Sequence, residues 1–436
     1  MEWVRTHDSS KFLESFYFQY GHASIADLGH LAMCFEGISE IAAIEIEDEQ
    51  LWDGQARSSR YQDFSKSGFV VPPEFSAHEA ARYQAAGEKL LAAYKVVHAQ
   101  AYEYLCGKLP RPEGMREDAY KRNLAARAYD VARYLLFLGV PTGVGQVTSI
   151  RTLESQVRRW KASEYAEIRE LGAETAAACA APPAVGDLAD PVAPTLAKYV
   201  DADPFPPAAR NRLRLWAAQN LSSQERKADT VELTRPAETL PDIAATLLYP
   251  ATGWPFRDLY DTVSGWSKAR QMEVIDVVLE GRGRRDELLR EFRSSPLAFD
   301  IVMDIGAYRD LHRHRRCHQF RQEFTTKLGC ETPDLFVESG MEGTYQQSIE
   351  EALATVNELP APAAHYLIPF ATRGRFLFKM DFAAAEYISR LRSGVKGHFS
   401  YRRIAWLMKQ ALEQAEPELA RLIDATPPWV EDPLVR

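Results

Sequence analysis

Apolar residues recur at spacings of three and four along much of the chain, the period that gathers them on one face of a helix. Glu79 to Tyr104, Asp118 to Phe137 and Gln156 to Ala178 carry this pattern in the first half. Ser24 to Asp48, long and largely apolar, predicts a further helix there. In the second half the same spacing predicts helices over Thr262 to Leu279, Asp286 to Phe292, Tyr345 to Val356 and Tyr401 to Ala415. Short β-branched or aromatic runs, Gly68 to Val71 and Phe376 to Met380, are candidate strands. Ala180 to Pro207 is rich in Pro, Ala and Asp and reads as a surface connection, with Pro194 to Tyr199 packing on the first domain. The expected fold class is α+β and helix-rich.

A faint internal repeat divides the chain. Ala132-Arg-Tyr-Leu-Leu resembles Ala364-His-Tyr-Leu-Ile, and the same offset pairs Glu154 with Glu386 and Arg158 with Arg390. Three matches in one register predict a duplicated domain: residues 1–182, a connecting segment 183–240, and residues 241–436.

Composition narrows the class. A chain of 436 residues, 46% hydrophobic and 26% charged, suits an ordinary globular protein with two or three cores. No apolar run approaches the roughly 18 residues that span a bilayer, and the charged N-terminus lacks a leader's apolar stretch. Five scattered cysteines without a CxxC pair argue against a disulfide framework and fit a reducing cytoplasm. A net charge of −9 disfavours long nucleic acids as partners, which makes any strong basic cluster local.

One such cluster is Tyr308-Arg-Asp-Leu-His-Arg-His-Arg-Arg-Cys-His-Gln-Phe-Arg. If the run is helical, Arg309, Arg313 and Arg316 share one face and His314, His318 and Arg321 another. So much like charge calls for anions, and the planar guanidinium fork suits phosphate or carboxylate. The alternative is a solvated basic helix balanced by nearby acids. His314 and His318 have the spacing of a zinc helix, but Arg315 and Arg316 stand between them and no Glu supplies a base, so metal binding is disfavoured. A second cluster, Ser58-Ser-Arg60-Tyr61, offers hydroxyl and guanidinium donors on a loop. Ser24, in Gly21-His22-Ala23-Ser24, is placed to cap the long first helix, either as a cap alone or also as an anion site.

In this order the pieces resemble flavin-dependent thymidylate synthases. That family shows Gly-His-x-Ser or Thr ahead of a helix with Glu-Gly-Ile-Ser, here Gly21 to Ser24 and then Phe35-Glu36-Gly37-Ile38-Ser39. An Arg-His-Arg signature and a Ser-x-Arg-Tyr end follow in the family. The first half has Asp48, Glu49 and Gln50 at the Arg-His-Arg positions but keeps Ser58-Ser59-Arg60-Tyr61. The second half keeps Arg313-His314-Arg315 and has Glu323, Phe324, Thr325 and Thr326 at the other motif. Family active sites take these two segments from different protomers, so the reciprocal loss implies one composite site in a tandem pseudo-dimer. Further matches are Arg133 in Ala132-Arg-Tyr-Leu-Leu, with His365 as its copy, and Ser149-Ile150-Arg151 for the family's Asn-x-Arg, with Asp381-Phe382-Ala383 as the copy. The pyrimidine-reading Arg is Arg392, with Trp160 as its copy. Glu167-Ile168-Arg169 and Gly397-His398-Phe399-Ser400-Tyr401-Arg402 resemble the closing motif. The resemblance covers residues 10–182 and about 290–415.

The resemblance implies reductive C5-methylation of a uridylate, with methylenetetrahydrofolate as one-carbon donor, FAD as hydride carrier and NADPH as reductant. Ser58, Arg60, Tyr61 and Arg133 would hold the nucleotide, and Arg392 would stabilise charge on the pyrimidine as the catalytic residue. Arg313, His314 and Arg315, with His22, Ser24 and Arg151, would hold the flavin. Ala56 stands where the family has an acid two positions before the Ser, leaving room for a ribose 2′-hydroxyl, so the expected substrate is either UMP or dUMP. A family that works as a tetramer of single domains implies a homodimer of this double-length chain. The other readings are a degenerate, non-catalytic flavin or nucleotide binder, and a helical interaction protein whose basic run meets an acidic partner.

Overall fold

The computed structural model describes residues 23–186, 189–193, 199–222, 229–234, 239–281, 289, 291, 297–380, 382–415, 420 and 423–434. His22, residues 194–198 and most of the helix expected over 286–292 lie outside the described residues. The fold is helix-rich α+β with two small antiparallel sheets.

Strand β1 (His30–Ser39) runs into helix α1 (Glu40–Glu47), and β2 (Trp52–Ala56) follows. Two long helices, α2 (Ala77–Lys108) and α3 (Glu117–Ala132), lead through a 3-10 turn at Arg133–Leu135 to β3 (Pro141–Ser149). Helices α4 (Ile150–Lys161) and α5 (Ala166–Cys179) end the first repeat. Then come α6 (Phe205–Asn220), β4 (Val231–Thr234), α7 (Thr239–Leu248), α8 (Phe256–Ser264) and α9 (Lys268–Leu279). The second repeat runs β5 (Leu297–Asp304), α10 (Ile305–Leu311), β6 (His318–Arg321), α11 (Asp334–Ser339), α12 (Glu342–Glu358), a 3-10 turn at Ala363–Leu367, β7 (Arg373–Met380), α13 (Phe382–Ser393) and α14 (Phe399–Ala415).

The repeat extends to sheet register. One sheet has order β1-β3-β2 and the other β4-β5-β7-β6. Ser39 pairs with Pro141 as Asp304 pairs with Arg373, and Ala56 meets Val144 as Arg321 meets Phe376. Ser39 caps α1 by accepting from the Ala42 amide at 3.1 Å, and Asp304 caps α10 by accepting from Ala307 at 2.7 Å. Each cap also reaches the last helix of its repeat. The Ser39 amide and hydroxyl donate to Glu167 at 2.7 and 2.5 Å, whereas Asp304 accepts from the Ser400 hydroxyl, so donor and acceptor have exchanged places.

Several expectations are corrected. Residues 24–48 are not one helix: a 3-10 turn at Ala23–Asp27 precedes strand β1, and only α1 is helical. Gly37, at φ 68°, supplies the left-handed residue of a bulge between Glu36 and Ile38 that shifts the register before pairing resumes at Ile38 and the cap Ser39. Strand β1 is buried only at Phe35, Ile38 and Ser39, and a short, largely apolar run does not by its period alone distinguish strand from helix. Gly68 to Val71 is irregular chain, not a strand. Gln156 to Ala178 splits into α4 and α5, and Thr262 to Leu279 into the end of α8 and α9, the latter capped by Ser267. The basic run is not a continuous helix either: α10 stops at Leu311, a turn follows, and residues 318–321 are strand β6. The helical faces expected for 309, 313, 316 and for 314, 318, 321 therefore do not exist.

Two compact units result. One comprises residues 1–57, 70–76 and 141–204, with the first sheet, α1, α4 and α5; the other comprises 58–69, 77–140 and 205–436. In the second unit, helices α6 to α9 bury Phe205, Trp216, Tyr249, Phe256 and Val274 together with Leu377 of β7. Within that unit α2 of the first repeat and α12 of the second lie side by side, joined by Lys89–Glu351 at 3.0 Å and Arg82–Glu358. Backbone 134–139 also crosses 366–371 reciprocally. Leu138 donates to Ile368 O (3.0 Å) and Phe370 to Leu136 O (2.7 Å); Gly139 donates to Tyr366 O (2.6 Å) and Ala371 to Tyr134 O (3.3 Å). Exchanging the repeats turns each bond into its partner, the rule that an isologous contact obeys.

Candidate functional site

The segments around Arg60 and Arg133, from the first half of the chain, belong to the same compact unit as the basic run of the second half. Their geometry can therefore be followed directly. Helix α10 starts at the Asp304 cap and rests on the sheet by stacking Tyr308 on Phe376, ring centroids 4.0 Å apart. Beyond Leu311 the buried Gln319 amide donates to the carbonyls of Leu311, His312 and His314 at 3.2–3.4 Å. That side chain fixes the turn carrying Arg313 and His314.

Five arginines gather here, three of them buried. Arg60 forks onto Asp130 at 2.7 and 3.1 Å and also donates to Tyr401 Oη (3.0 Å) and Lys396 O (3.2 Å). Burial disfavours its charge, but the Asp130 carboxylate outweighs that and holds the guanidinium protonated. Arg309 donates to Ser59 Oγ at 3.2 Å and lies over the Phe370 ring. Arg133, 1% exposed, donates Nη1 to Asp310 at 3.0 Å, while its Nε and Nη2 have no acceptor among the described residues. Burial raises the Asp310 pKa, but Arg133, Arg60 and Arg313 more than offset this and keep it below the usual carboxylate range.

Arg392 and Arg313 differ from Arg60 and Arg133: neither makes an ion pair among the described residues. Arg392 Nε donates to His314 Nε2 at 2.7 Å, and its guanidinium lies 5.6 Å from the Tyr401 ring centroid, with Arg60 5.8 Å from the same centroid. Burial first, then Arg392, pushes the His314 pKa down to about 3, so the imidazole is a neutral acceptor that orients Arg392. The Nε of Arg313 is buried with no hydrogen-bond partner among the described residues. Two aromatic rings stand open beside this chain of contacts. Tyr387, 48% exposed, meets His314 edge-on at 5.8 Å, and Tyr61, 53% exposed, flanks Arg60 at 5.4 Å.

The second unit thus brings together Arg60, Arg133, Arg313, His314 and Arg392, with Ser58 and Tyr61 beside Arg60 and Arg315 in the His314 turn. Ser58 Oγ accepts from the Arg60 amide at 3.2 Å. Ser24 and Arg151 belong to the first unit; Ser24 is exposed, and Arg151 pairs with Asp27 at 3.0 Å. Sequence reasoning missed Asp130, Asp310 and Gln319. Asp130 stands three residues before Arg133 and Asp310 directly after Arg309, but nothing in spacing alone says that these acids face inward.

Residues 2–181 and 234–418 each match the family model described as thymidylate synthase complementing protein. A UPF0159 protein of Chlamydia muridarum is 26% identical over 417 residues, covering 91% of this chain and 77% of that relative. A UPF0159 protein of Chlamydia pneumoniae is 25% identical over 399 residues, covering 88% and 75%. One of Thermoplasma acidophilum is 26% identical over 207 residues, 45% of this chain and 40% of the relative. With both repeats matched by that family model, the chain belongs to the thymidylate synthase complementing protein family.

Proposed function

We propose that this chain is a flavin-dependent uridylate C5-methylase with one composite site per tandem pair. The observation that carries the reading is the cluster in which Arg313 and Arg392 make no ion pair among the described residues while Arg60 and Arg133 are paired with Asp130 and Asp310. The cluster therefore keeps net positive charge, which anionic ligands such as a nucleotide and a phosphate-bearing cofactor would offset. The reciprocal bonds between 134–139 and 366–371 support a pseudo-dimer, in which each half supplies what the other has lost.

In this reading the nucleotide lies against Arg392, whose guanidinium is aimed by neutral His314 and backed by Tyr401. It stabilises negative charge developing on the pyrimidine carbonyl oxygens. Ser58, Arg60, Tyr61 and Arg133 form the phosphate end. The donor set fits a phosphate-bearing planar cofactor, with the buried Nε of Arg313 wanting an acceptor and the Tyr387 ring open for stacking. Arg313, His314 and Arg315 would hold FAD, with Ser24, Arg151 and His22 contributing from the first segment. A reduced flavin supplies hydride and methylenetetrahydrofolate the one-carbon unit, with NADPH as reductant.

Absorbance of the purified protein tests this directly. Flavin bands that shift on adding UMP or dUMP, with nucleotide-stimulated NADPH oxidation, are expected; a protein that neither carries nor takes up flavin refutes the reading. Parallel assays with UMP and dUMP show whether Ala56 sets the sugar preference. The internal pairing of Arg60 and Arg133 favours one second reading, a nucleotide binder without turnover, which would bind nucleotide and leave NADPH untouched.

A further inference from the structure

Arg133 is fully buried, yet two of its donors, Nε and Nη2, find no acceptor among the described residues. Leaving such donors unmet costs about 1–3 kcal/mol each, so the arrangement is poised for another acceptor. Its partner among the described residues, the Asp310 side chain, is 16% exposed where Arg133 is 1% exposed, so the carboxylate is the member of the pair that solvent can reach. Gly306 lets the α10 backbone approach the guanidinium closely, since a Cβ there would stand 3.2 Å from Arg133 Nη2 and 3.0 Å from Asp304 Oδ1. Arg313 makes no ion pair with Asp310 but is near enough for its charge to lower the carboxylate's pKa, and its own Nε has no acceptor among the described residues.

We propose that Asp310 is a displaceable counter-ion. It satisfies Arg133 while the site holds no phosphate, and it turns outward when the phosphate of a nucleoside monophosphate takes its place on Arg133. This rests on the nucleotide-site reading and adds to it a residue that sets affinity: the protein's own carboxylate competes with the ligand. A charged competitor weakens phosphate binding in proportion to its own hold on Arg133, and replacing it with a neutral acceptor removes the competition without leaving Nη1 bare.

Calorimetric titration of the full chain with UMP, dUMP, uridine and inorganic phosphate tests it, using wild type, Asp310→Asn and Asp310→Ser. Both variants are expected to bind UMP or dUMP and inorganic phosphate about tenfold more tightly, with uridine unchanged. Adding Arg133→Gln to either variant is expected to abolish the gain. An unchanged or weakened phosphate affinity in a folded variant overturns the proposal, as does a gain that survives Arg133→Gln. If neither variant folds, Asp310 is a structural partner of Arg133 and the proposal also fails. Failure of the wild type to bind any of the four ligands instead refutes the nucleotide site itself.

Discussion

The two repeats share strands, register and capping, but they end in opposite chemistry. In the second repeat Arg392, in the last turn of α13, meets neutral His314 and keeps its charge uncompensated. At the matching place in the first repeat Trp160 is fully buried, donates to Glu45 O at 3.4 Å and packs edge-on against Phe35, centroids 5.9 Å apart. Where His314 stands in the second repeat the first has Glu49, tied to the neighbouring Arg159 at 3.3 Å. One copy thus spent its position on core packing and a half-buried ion pair, while the other leaves guanidiniums unmet. The Arg133 position shows the complementary asymmetry. Its copy His365 has a pKa pushed down to about 4 by burial and by Arg321, so it is neutral where Arg133 is charged. An unmet charge is hard to keep in a buried place for stability alone, which supports the proposal that the cluster in the second unit is the ligand site.

The contrast can be broken most sharply by paired substitutions. Arg392→Ala is expected to lower flavin-dependent methyl transfer by about 10²–10³-fold with little loss of stability, read by steady-state turnover and thermal melting. Its counterpart Trp160→Ala should reverse the signs, costing about 3–5 kcal/mol in urea unfolding while the nucleotide affinity of the folded protein is unchanged. Comparable effects from the two would erase the division of labour. Next, Asp130→Asn leaves Arg60 buried without its counter-charge and should destabilise by about 3–5 kcal/mol, whereas Thr325→Ala, at the copy of Arg60, should stay within about 0.5 kcal/mol.

The exchanged caps give a pH-dependent prediction of intermediate size. Burial raises the Asp304 pKa to about 6, against the opposing pull of Ser400, Arg133 and the Ala307 amide. The folded state then binds the proton more tightly than the unfolded chain, so this group's contribution is fully present below about pH 4 and is lost as pH rises through about 6. Asp304→Asn keeps an acceptor for the cap and should flatten that part of the stability profile by roughly 2–3 kcal/mol between those limits. An unaltered profile would show that Asp304 does not titrate there. The smallest effect is expected at Arg151. Its pair with Asp27 is half exposed on both sides, and Arg151→Ala should change stability by less than about 1 kcal/mol. A larger loss of flavin affinity than of stability would tie Arg151 to the cofactor.

Much of this was legible from residue types and periodicity. The helices α2, α12 and α14 follow from apolar spacing, β7 from its aromatic run, and the duplication from three matches in one register. The clusters around Arg60 and Arg313 stood out by residue type as possible anion sites, and the resemblance to flavin-dependent thymidylate synthases made Ser58-x-Arg60-Tyr61 and Arg313-His314-Arg315 readable as complementary halves. Tertiary structure alone decided what each charge meets. The basic run was expected to be one helix, but Gln319 folds it into a turn by binding three carbonyls, an interaction that depends on β6 joining β7. Asp130 and Asp310 are ordinary acids in the sequence; only packing turns them inward onto Arg60 and Arg133. Local pattern sets which residues lie on one face, but charge compensation is a pairwise matter across 70 and 177 residues of chain, and no short-range periodicity encodes it.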